Sequence, residues 1–189
     1  NLPGGFTLQG FYIAASSAGT PALYFSNIGG KLVLKDLNVR NASAGGNIKV
    51  DTSTASIEIR DVEGSNGAGY GLLIDTPAAV GTISIVNSEF SSNAGGAGIN
   101  ILTNGSILLN GVSASYNNND GAFLTSGKGI TIRNGVFSYN TNAGVTGHGI
   151  RVGITSRGNI LIDSVFANQN DEDGILIENV GGNVSLANI

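Results

Sequence analysis

Residues 82–105 read TISIVNSEFSSNAGGAGINILTNG, and residues 106–129 read SILLNGVSASYNNNDGAFLTSGKG. Each segment begins with an apolar alternation, continues through a second short apolar stretch and a corner asparagine, and then has a glycine before a third apolar pair. A turn that contains glycine closes each unit. A repeat length in the twenties is typical of solenoid architectures, so the repeat has to be established before any single strand is assigned.

The same unit can be followed along nearly the whole chain. Its first apolar residue recurs in steps of 24, 25, 26, 24, 23, 30 and 24 residues, and in almost every unit a second apolar residue stands two places later. A period of two is typical of a β-strand, and no segment shows a sustained helical period. We therefore expect no helix, except at most within the first 20 residues. The predicted first column is Leu8, Leu32, Ile57, Ile83, Ile107, Ile130, Ile160 and Val184, and the third pairs begin at Leu23, Ile48, Leu72, Ile99, Ala122, Ile150 and Ile175.

Three short strands per unit cannot bury their apolar faces alone, so they must stack on the equivalent strands of neighbouring units. The sequence therefore predicts an all-β, single-stranded parallel β-helix with about 24 residues per turn and about eight turns. The handedness of parallel crossovers favours a right-handed coil. We expect residues 1–189 to form one rod-like domain on the order of 40 Å long, at about 4.8 Å per turn.

Two further features of the repeat lead to structural predictions. A recurring asparagine is expected to form a ladder of side-chain amides at one corner. Residues 184–189 begin a turn, and no polar or helical cap is evident at either end, so we expect the ends to pair with flanking turns or with copies of the chain. The predicted ladder residues are Asn41, Asn66, Asn93, Asn117, Asn140 and Asn170.

Composition excludes several classes of function. The net charge is −4 with only nine Lys and Arg residues and no basic run, so nucleic acid and anionic membranes are not expected partners. The chain has no cysteine, which excludes disulfides and thiolate metal sites. No apolar run reaches the 18 residues that a membrane span needs.

One predicted column is polar. Asp120, His148 and Asp173 each stand directly before the glycine of the third strand, so we expect them on successive turns about 4.8 Å apart. The two carboxylates would then be about 9 to 10 Å apart, near the upper limit for inverting glycosidases. The turn with His148 is the longest, and its extra residues within 141–147 should project as a loop.

Residues 147–153 (GHGIRVG) resemble the Gly-His-Gly signature of polygalacturonases, and residues 118–121 (NNDG) are similar to their Asn-x-Asp-Gly motif. This resemblance implies a β-helix hydrolase or lyase of pectin-like polysaccharides, with Asp120, His148 and Asp173 as catalytic residues. The Asp-Asp pair of that family is missing here, and no Lys or Arg follows Arg157.

Two other groups of residues are candidate binding sites. Tyr116 and Tyr139 occupy the same place on adjacent turns, either as a platform for a sugar ring or as ordinary stacking between turns. Asp120 and His148 could contribute to binding beside them. The acidic residues 170–173 (NDED) form either a solvated turn or a calcium site, with Asp171 and Asp173 as ligands. A calcium ion is the only cofactor that the sequence suggests.

The chain as a whole resembles the right-handed β-helix repeats of large bacterial surface and secreted proteins, including adhesins, through its Ile-x-Ile, Val-x-x-x-x-Asn and Gly-Ile-x-Ile pattern. This resemblance implies an extracellular or cell-surface location. It also implies a non-catalytic structural, adhesive or fibre-forming role, with copies of the chain or flanking turns as partners and glycans as ligands along one side. The alternative is the polysaccharide hydrolase or lyase described above.

Overall fold

The computed structural model describes residues 4–14, 19–43, 45–51, 53–141, 147–178 and 181–189. Within these ranges the chain forms β-strands and no helix, and the N-terminal segment, where a helix was not excluded, contains the first strand. None of the described segments could cross a membrane as a helix. The strands are β1 (Phe6–Ala14), β2 (Leu23–Ser26), β3 (Leu32–Arg40), β4 (Ile48–Asp51), β5 (Ile57–Ser65), β6 (Leu72–Thr76), β7 (Ile83–Val86), β8 (Ile99–Thr103), β9 (Ser106–Asn110), β10 (Ala122–Ser126), β11 (Gly129–Val136), β12 (Ile150–Val152), β13 (Asn159–Phe166), β14 (Ile175–Ile177) and β15 (Val184–Ala187).

The strands alternate between two parallel sheets. The odd-numbered strands form an eight-stranded sheet and the even-numbered strands a seven-stranded sheet, each in sequence order. Every turn contributes one strand to each sheet, so the described chain makes about seven turns of about 25 residues. The predicted all-β parallel solenoid is confirmed, with one turn fewer than predicted.

The third apolar pairs form the even-numbered strands as predicted, but the predicted second short strand of each turn is not a separate element. In β3 and β5 the chain bends at a single residue with a left-handed backbone, Asp36 (φ 51°) and Asp61 (φ 53°), and then continues in extended form. In the middle turns the part after the bend pairs only through isolated bridges. The eight residues of this bend column have positive φ and are Gly10, Asp36, Asp61, Asn87, Gly111, Asn134, Ser164 and Asn188.

The predicted register is confirmed in all turns but the first. Ile83 pairs with Ile107, and Ile107 pairs with Ile130. In the first turn the prediction that Leu8 lies beside Leu32 is wrong, because Phe6 pairs with Leu32. The physical reason is the bend column, since aligning the left-handed bends of the first two turns shifts the first strand by two residues.

The inward side chains of both sheets fill the coil. Residues such as Ile83 and Ile85 are completely buried, and the outward residue between them is only partly covered. Phe90 and Phe137 are the largest fully buried side chains. Burial of apolar surface at about 25 cal/mol per Å² is the main source of stability for such a coil.

An asparagine ladder stabilises one corner of the coil. Asn93 Nδ2 donates to Asn117 Oδ1 (3.0 Å), and Asn117 Nδ2 donates to Asn140 Oδ1 (3.1 Å). Each of these oxygens also accepts the backbone N–H of the ladder asparagine in the preceding turn. Asn117 N, for example, donates to Asn140 Oδ1 (3.0 Å). The next amide, Asn170, continues the ladder with Oδ1 as acceptor from Asn140 Nδ2 at 3.0 Å.

The assignment of Asn41 and Asn66 to this ladder is wrong. Both lie one position earlier, at a second left-handed corner, with φ of 59° and 58°. The ladder position of the Asn66 turn is Gly67, and the amide of Asn47 occupies the space beside it. A Cβ on Gly67 would lie 2.8 Å from Asn47 Nδ2, which in turn donates to Asn93 Oδ1 at 3.0 Å.

The ladder can be tested by comparing two neighbouring asparagines. Asn117→Ala removes the acceptor of the Asn93 amide groups inside the corner, so we expect the free energy of unfolding to fall by about 1–3 kcal/mol. Asn118→Ala is the matched control, because Asn118 is exposed and its side chain donates to the Ala94 carbonyl outside the ladder. Urea denaturation followed by circular dichroism measures both. Equal destabilisation by the two substitutions would contradict the role of the ladder.

Candidate functional site

Asp120, His148 and Asp173 lie in one column on three successive turns, as their spacing predicts. The backbone N–H of Gly121 donates to the His148 carbonyl (2.8 Å), and that of Gly149 donates to the Asp173 carbonyl (3.0 Å). We call these three residues the polar column. Of the loop expected beside it at 141–147, residues 142–146 lie outside the described part of the chain.

The side chains of the polar column bind backbone groups of the next turn. Asp120 Oδ1 accepts the backbone N–H of His148 (2.9 Å), and His148 Nδ1 accepts that of Asp173 (3.1 Å). A histidine that accepts at Nδ1 carries its proton on Nε2, so the 3.6 Å contact between Nδ1 and Asp173 Oδ2 is not a hydrogen bond. The Asp120 and His148 side chains therefore act like members of the asparagine ladder.

Burial separates Asp120 and His148 from Asp173. Asp120 is 3% exposed and His148 is 4% exposed, whereas the Asp173 side chain is 60% exposed. Burial raises the pKa of Asp120, and the hydrogen bond from the His148 N–H and the positive charge of Arg151 oppose this effect. The column thus contains one buried acid with a raised pKa and one exposed acid in water.

An ion pair that was not anticipated from the sequence lies beside the polar column. Arg151 Nε donates to Glu178 Oε2 (2.8 Å), and the Arg151 guanidinium lies 4.9 Å from the centroid of the Phe123 ring. The hydrogen bond between Arg151 and Glu178 raises the pKa of Arg151 and lowers that of Glu178. The strand register could have indicated the contact between Arg151 and Phe123, because these two residues are direct neighbours in β10 and β12.

Tyr116 and Tyr139 form an exposed aromatic stack. Their ring centroids are 4.8 Å apart and the ring planes differ by 2°. The residues are 61% and 44% exposed, and both backbones are left-handed with φ of 59°. The predicted stacking is confirmed, and a sugar-binding role stays a prediction.

The aromatic stack forms one wall of a groove of about 420 Å³, which we call the serine groove. A larger groove of about 900 Å³ continues from it toward the N-terminal turns, and the two grooves share Glu89 and Ser113. The asparagine and aromatic patterns did not predict the serine groove. The residues that line it are Glu89, Ser91, Ser92, Ser113, Ser115, Tyr116, Val136, Ser138 and Tyr139.

Comparison with known protein families assigns this architecture to a family. Residues 46–189 match the family described as the right-handed β-helix region. The chain belongs to the right-handed β-helix family. No curated protein matches this sequence, and no solved structure matches it. The resemblance to polygalacturonases is therefore not supported by a relative.

The polar column of this right-handed β-helix does not have the geometry of a glycosidase site. An inverting glycosidase needs two carboxyl groups that reach the substrate and a water molecule. Asp120 is buried, and it accepts the backbone N–H of the next turn. His148 is also buried and in use as a backbone acceptor. The contacts support a structural role for both residues.

The acidic turn at Asp171 and Asp173 gives no specific support to the calcium prediction. Both residues are exposed, and the backbone N–H of Asp171 donates to the Asn140 carbonyl (3.0 Å). Among the described residues, no three His, Cys, Asp or Glu side chains come together to hold a metal ion. Calcium takes six to eight oxygen ligands, so this site stays a prediction.

Two substitutions of Asp120 separate a structural acceptor from a catalytic acid. Asp120→Asn keeps an oxygen that accepts the His148 N–H and removes the cost of burying a charge, so we expect a free energy of unfolding at pH 7 at or above that of the wild type. Asp120→Ala leaves the N–H unpaired, with an expected loss of about 1–3 kcal/mol. Thermal or urea unfolding measures both variants.

The same variants test the pKa of Asp120. Because burial raises its pKa in the folded state, this group stabilises the fold fully below the ordinary aspartate value of 3.8, and the contribution is lost as pH rises through the folded value. The stability difference between the wild type and Asp120→Asn should therefore grow as pH rises from about 3.8 toward neutrality. An Asp120→Asn protein that is as unstable as Asp120→Ala at pH 7 would contradict this account.

Proposed function

We propose that this β-helix domain is a non-catalytic structural rod of an extracellular or cell-surface protein, which associates end to end with further copies of itself. The observation that carries the proposal is that the apolar columns continue into both outer turns and are exposed there. A parallel β-helix with open outer turns presents unpaired strand edges, which favour pairing with another chain.

The C-terminal turn shows this exposure clearly. Val184 and Leu186 are 43% and 51% exposed, although they continue the column in which Ile160 and Ile162 are fully buried. The pairing of β15 with β13 aligns these residues directly. Among the described residues, none covers the inward face of this strand.

The N-terminal turn has the matching pattern. Phe6 and Leu8 are only partly buried, whereas their neighbours Leu32 and Leu34 are completely buried. Both outer strands thus present two apolar residues separated by one position. An interface between unlike ends of identical rods repeats without closing and produces filaments. This match favours a second copy of the domain as the occupant.

The adhesive and extracellular parts of the proposal have separate support. The sequence resembles the β-helix repeats of large bacterial surface and secreted proteins, and the buried contacts of Asp120 and His148 favour a structural role over catalysis. The exposed aromatic stack provides a surface for ligands along the side of the rod. These features are consistent with a rod that holds a binding surface at a fixed distance.

End-to-end association predicts concentration-dependent oligomers. The purified domain should form dimers and longer rods in size-exclusion chromatography with light scattering, and filaments one domain wide in electron microscopy. The double substitution Val184→Lys and Leu186→Lys should abolish these species, because two charges would be buried in each contact.

The matched control is the double substitution Asn183→Lys and Ser185→Lys, which adds the same charge at alternate positions of the same turn. This variant should retain more association than the Val184 and Leu186 variant. A wild-type domain that stays monomeric up to high concentration would contradict the proposal.

A further inference from the structure

We propose that the serine groove binds a sugar ring of a neutral glycan, with the ring lying over Ser92 and stacked on the free face of Tyr116. The inference deepens the adhesive role proposed above. It can fail or succeed independently of end-to-end association, because the groove lies along the side of the rod.

The first step is the shape of the aromatic column. Tyr139 covers one face of the Tyr116 ring, so the other face points toward the preceding turn, where the equivalent residue is Ser92. A serine is too small to continue the stack, and it leaves one strand spacing of about 4.8 Å beside the ring. Stacked rings have centroids 4.5–7 Å apart, so a ligand ring fits this place.

The second step is the backbone of the two tyrosines. A left-handed conformation is unfavourable for a bulky residue and is best tolerated by Gly, Asn and Asp. Other members of this corner column are polar and include Asn41 and Asn66. The backbone therefore does not account for tyrosine at 116 and 139, whose rings are exposed and stacked on each other.

The third step is the set of polar groups around the gap. The hydroxyls of Ser91, Ser115 and Ser138 accept backbone N–H groups of the next turn and are occupied. Within the described part of the chain, the hydroxyls of Ser92 and Ser113 have no side-chain hydrogen bond. These groups are available to a ligand.

The carboxylate of Glu89 completes the polar rim of the groove. Glu89 is exposed and, among the described residues, its carboxylate has no hydrogen-bond partner. A carboxylate accepts two hydrogen bonds from adjacent hydroxyl groups. A sugar ring supplies both an apolar face for Tyr116 and hydroxyl groups for this rim.

The charge of the grooves selects between classes of glycan. The described residues that line the serine groove include Glu89 and no Lys or Arg, and the larger groove adds Asp36, Asp61 and Glu63. Asp36 and Glu63 are ion-paired with Lys35 and Arg40, so it is chiefly the carboxylates of Glu89 and Asp61 that would repel uronic acids. The geometry therefore points to neutral hexoses rather than to pectin-like acidic polymers.

The test uses defined oligosaccharides as probes. Neutral gluco-, manno- and galacto-hexaoses are compared with a galacturonate hexamer by calorimetry and by tyrosine fluorescence on the intact protein. We expect at least one neutral hexaose to bind and the acidic hexamer to bind at least tenfold more weakly. Tyr116→Ala should weaken neutral binding tenfold or more, because it removes the stacking face.

Ser92→Tyr is the sharper variant, because it fills the gap with a third ring at a corner where tyrosine already occurs twice. It should abolish binding while circular dichroism and the melting temperature stay close to wild type. Tyr24→Ala is the control, since Tyr24 is 54% exposed on the other sheet, and it should bind like wild type.

Three results would overturn the proposal. They are no binding of any neutral hexaose at millimolar concentration, stronger binding of the galacturonate hexamer, or binding that Ser92→Tyr leaves unchanged. The Val184→Lys and Leu186→Lys variant should bind the neutral hexaose as a monomer. That result separates a failure of this site from a failure of the rod association.

Discussion

The structure depends on one constraint, which is that each turn pairs in parallel register with the turn before it. This pairing places equivalent residues in straight columns, so one sequence position determines the chemistry of a line along the rod. Apolar columns fill the interior, and Ile83, Ile107 and Ile130 show this rule most directly. Polar residues lie in the interior where they also repeat from turn to turn and hydrogen-bond to one another, as in the amide ladder of Asn93 and Asn117.

The same constraint explains why the polar column favours structure over catalysis. A side-chain oxygen or nitrogen in an inward column lies next to a backbone N–H of a neighbouring turn, and an unpaired N–H there would be costly. Asp120 and His148 accept such groups from the following turn, and the ladder asparagines accept them from the preceding turn. Outward columns have no such obligation, and for this reason Tyr116, Ser92 and Glu89 are the better candidates for contact with other molecules.

The sequence predicted the repeat and nearly all of the register. When apolar residues recur at a nearly constant step, only one alignment of successive turns buries the apolar faces of both sheets. The sequence placed Leu8 beside Leu32 wrongly, since the bend at Gly10 sets the first turn and apolar alternation alone does not show that Gly10 aligns with Asp36. Asn41 and Asn66 were misplaced by one position for a related reason, because asparagine suits both a left-handed corner and a buried ladder. The burial of Asp120 depends on the direction of its side chain, which spacing alone does not give.

Spin-label distances test the central claim of stacked columns most directly, and the absence of cysteine from the sequence makes specific labelling simple. Val33, Thr131 and Leu161 lie in one outward column, with Val33 and Leu161 separated by five strand spacings. Electron–electron double resonance on Val33→Cys with Leu161→Cys should give a narrow distribution near about 24 Å, and Val33→Cys with Thr131→Cys should give about 19 Å. Broad distributions, or two pairs that do not differ by one strand spacing of about 5 Å, would contradict the account.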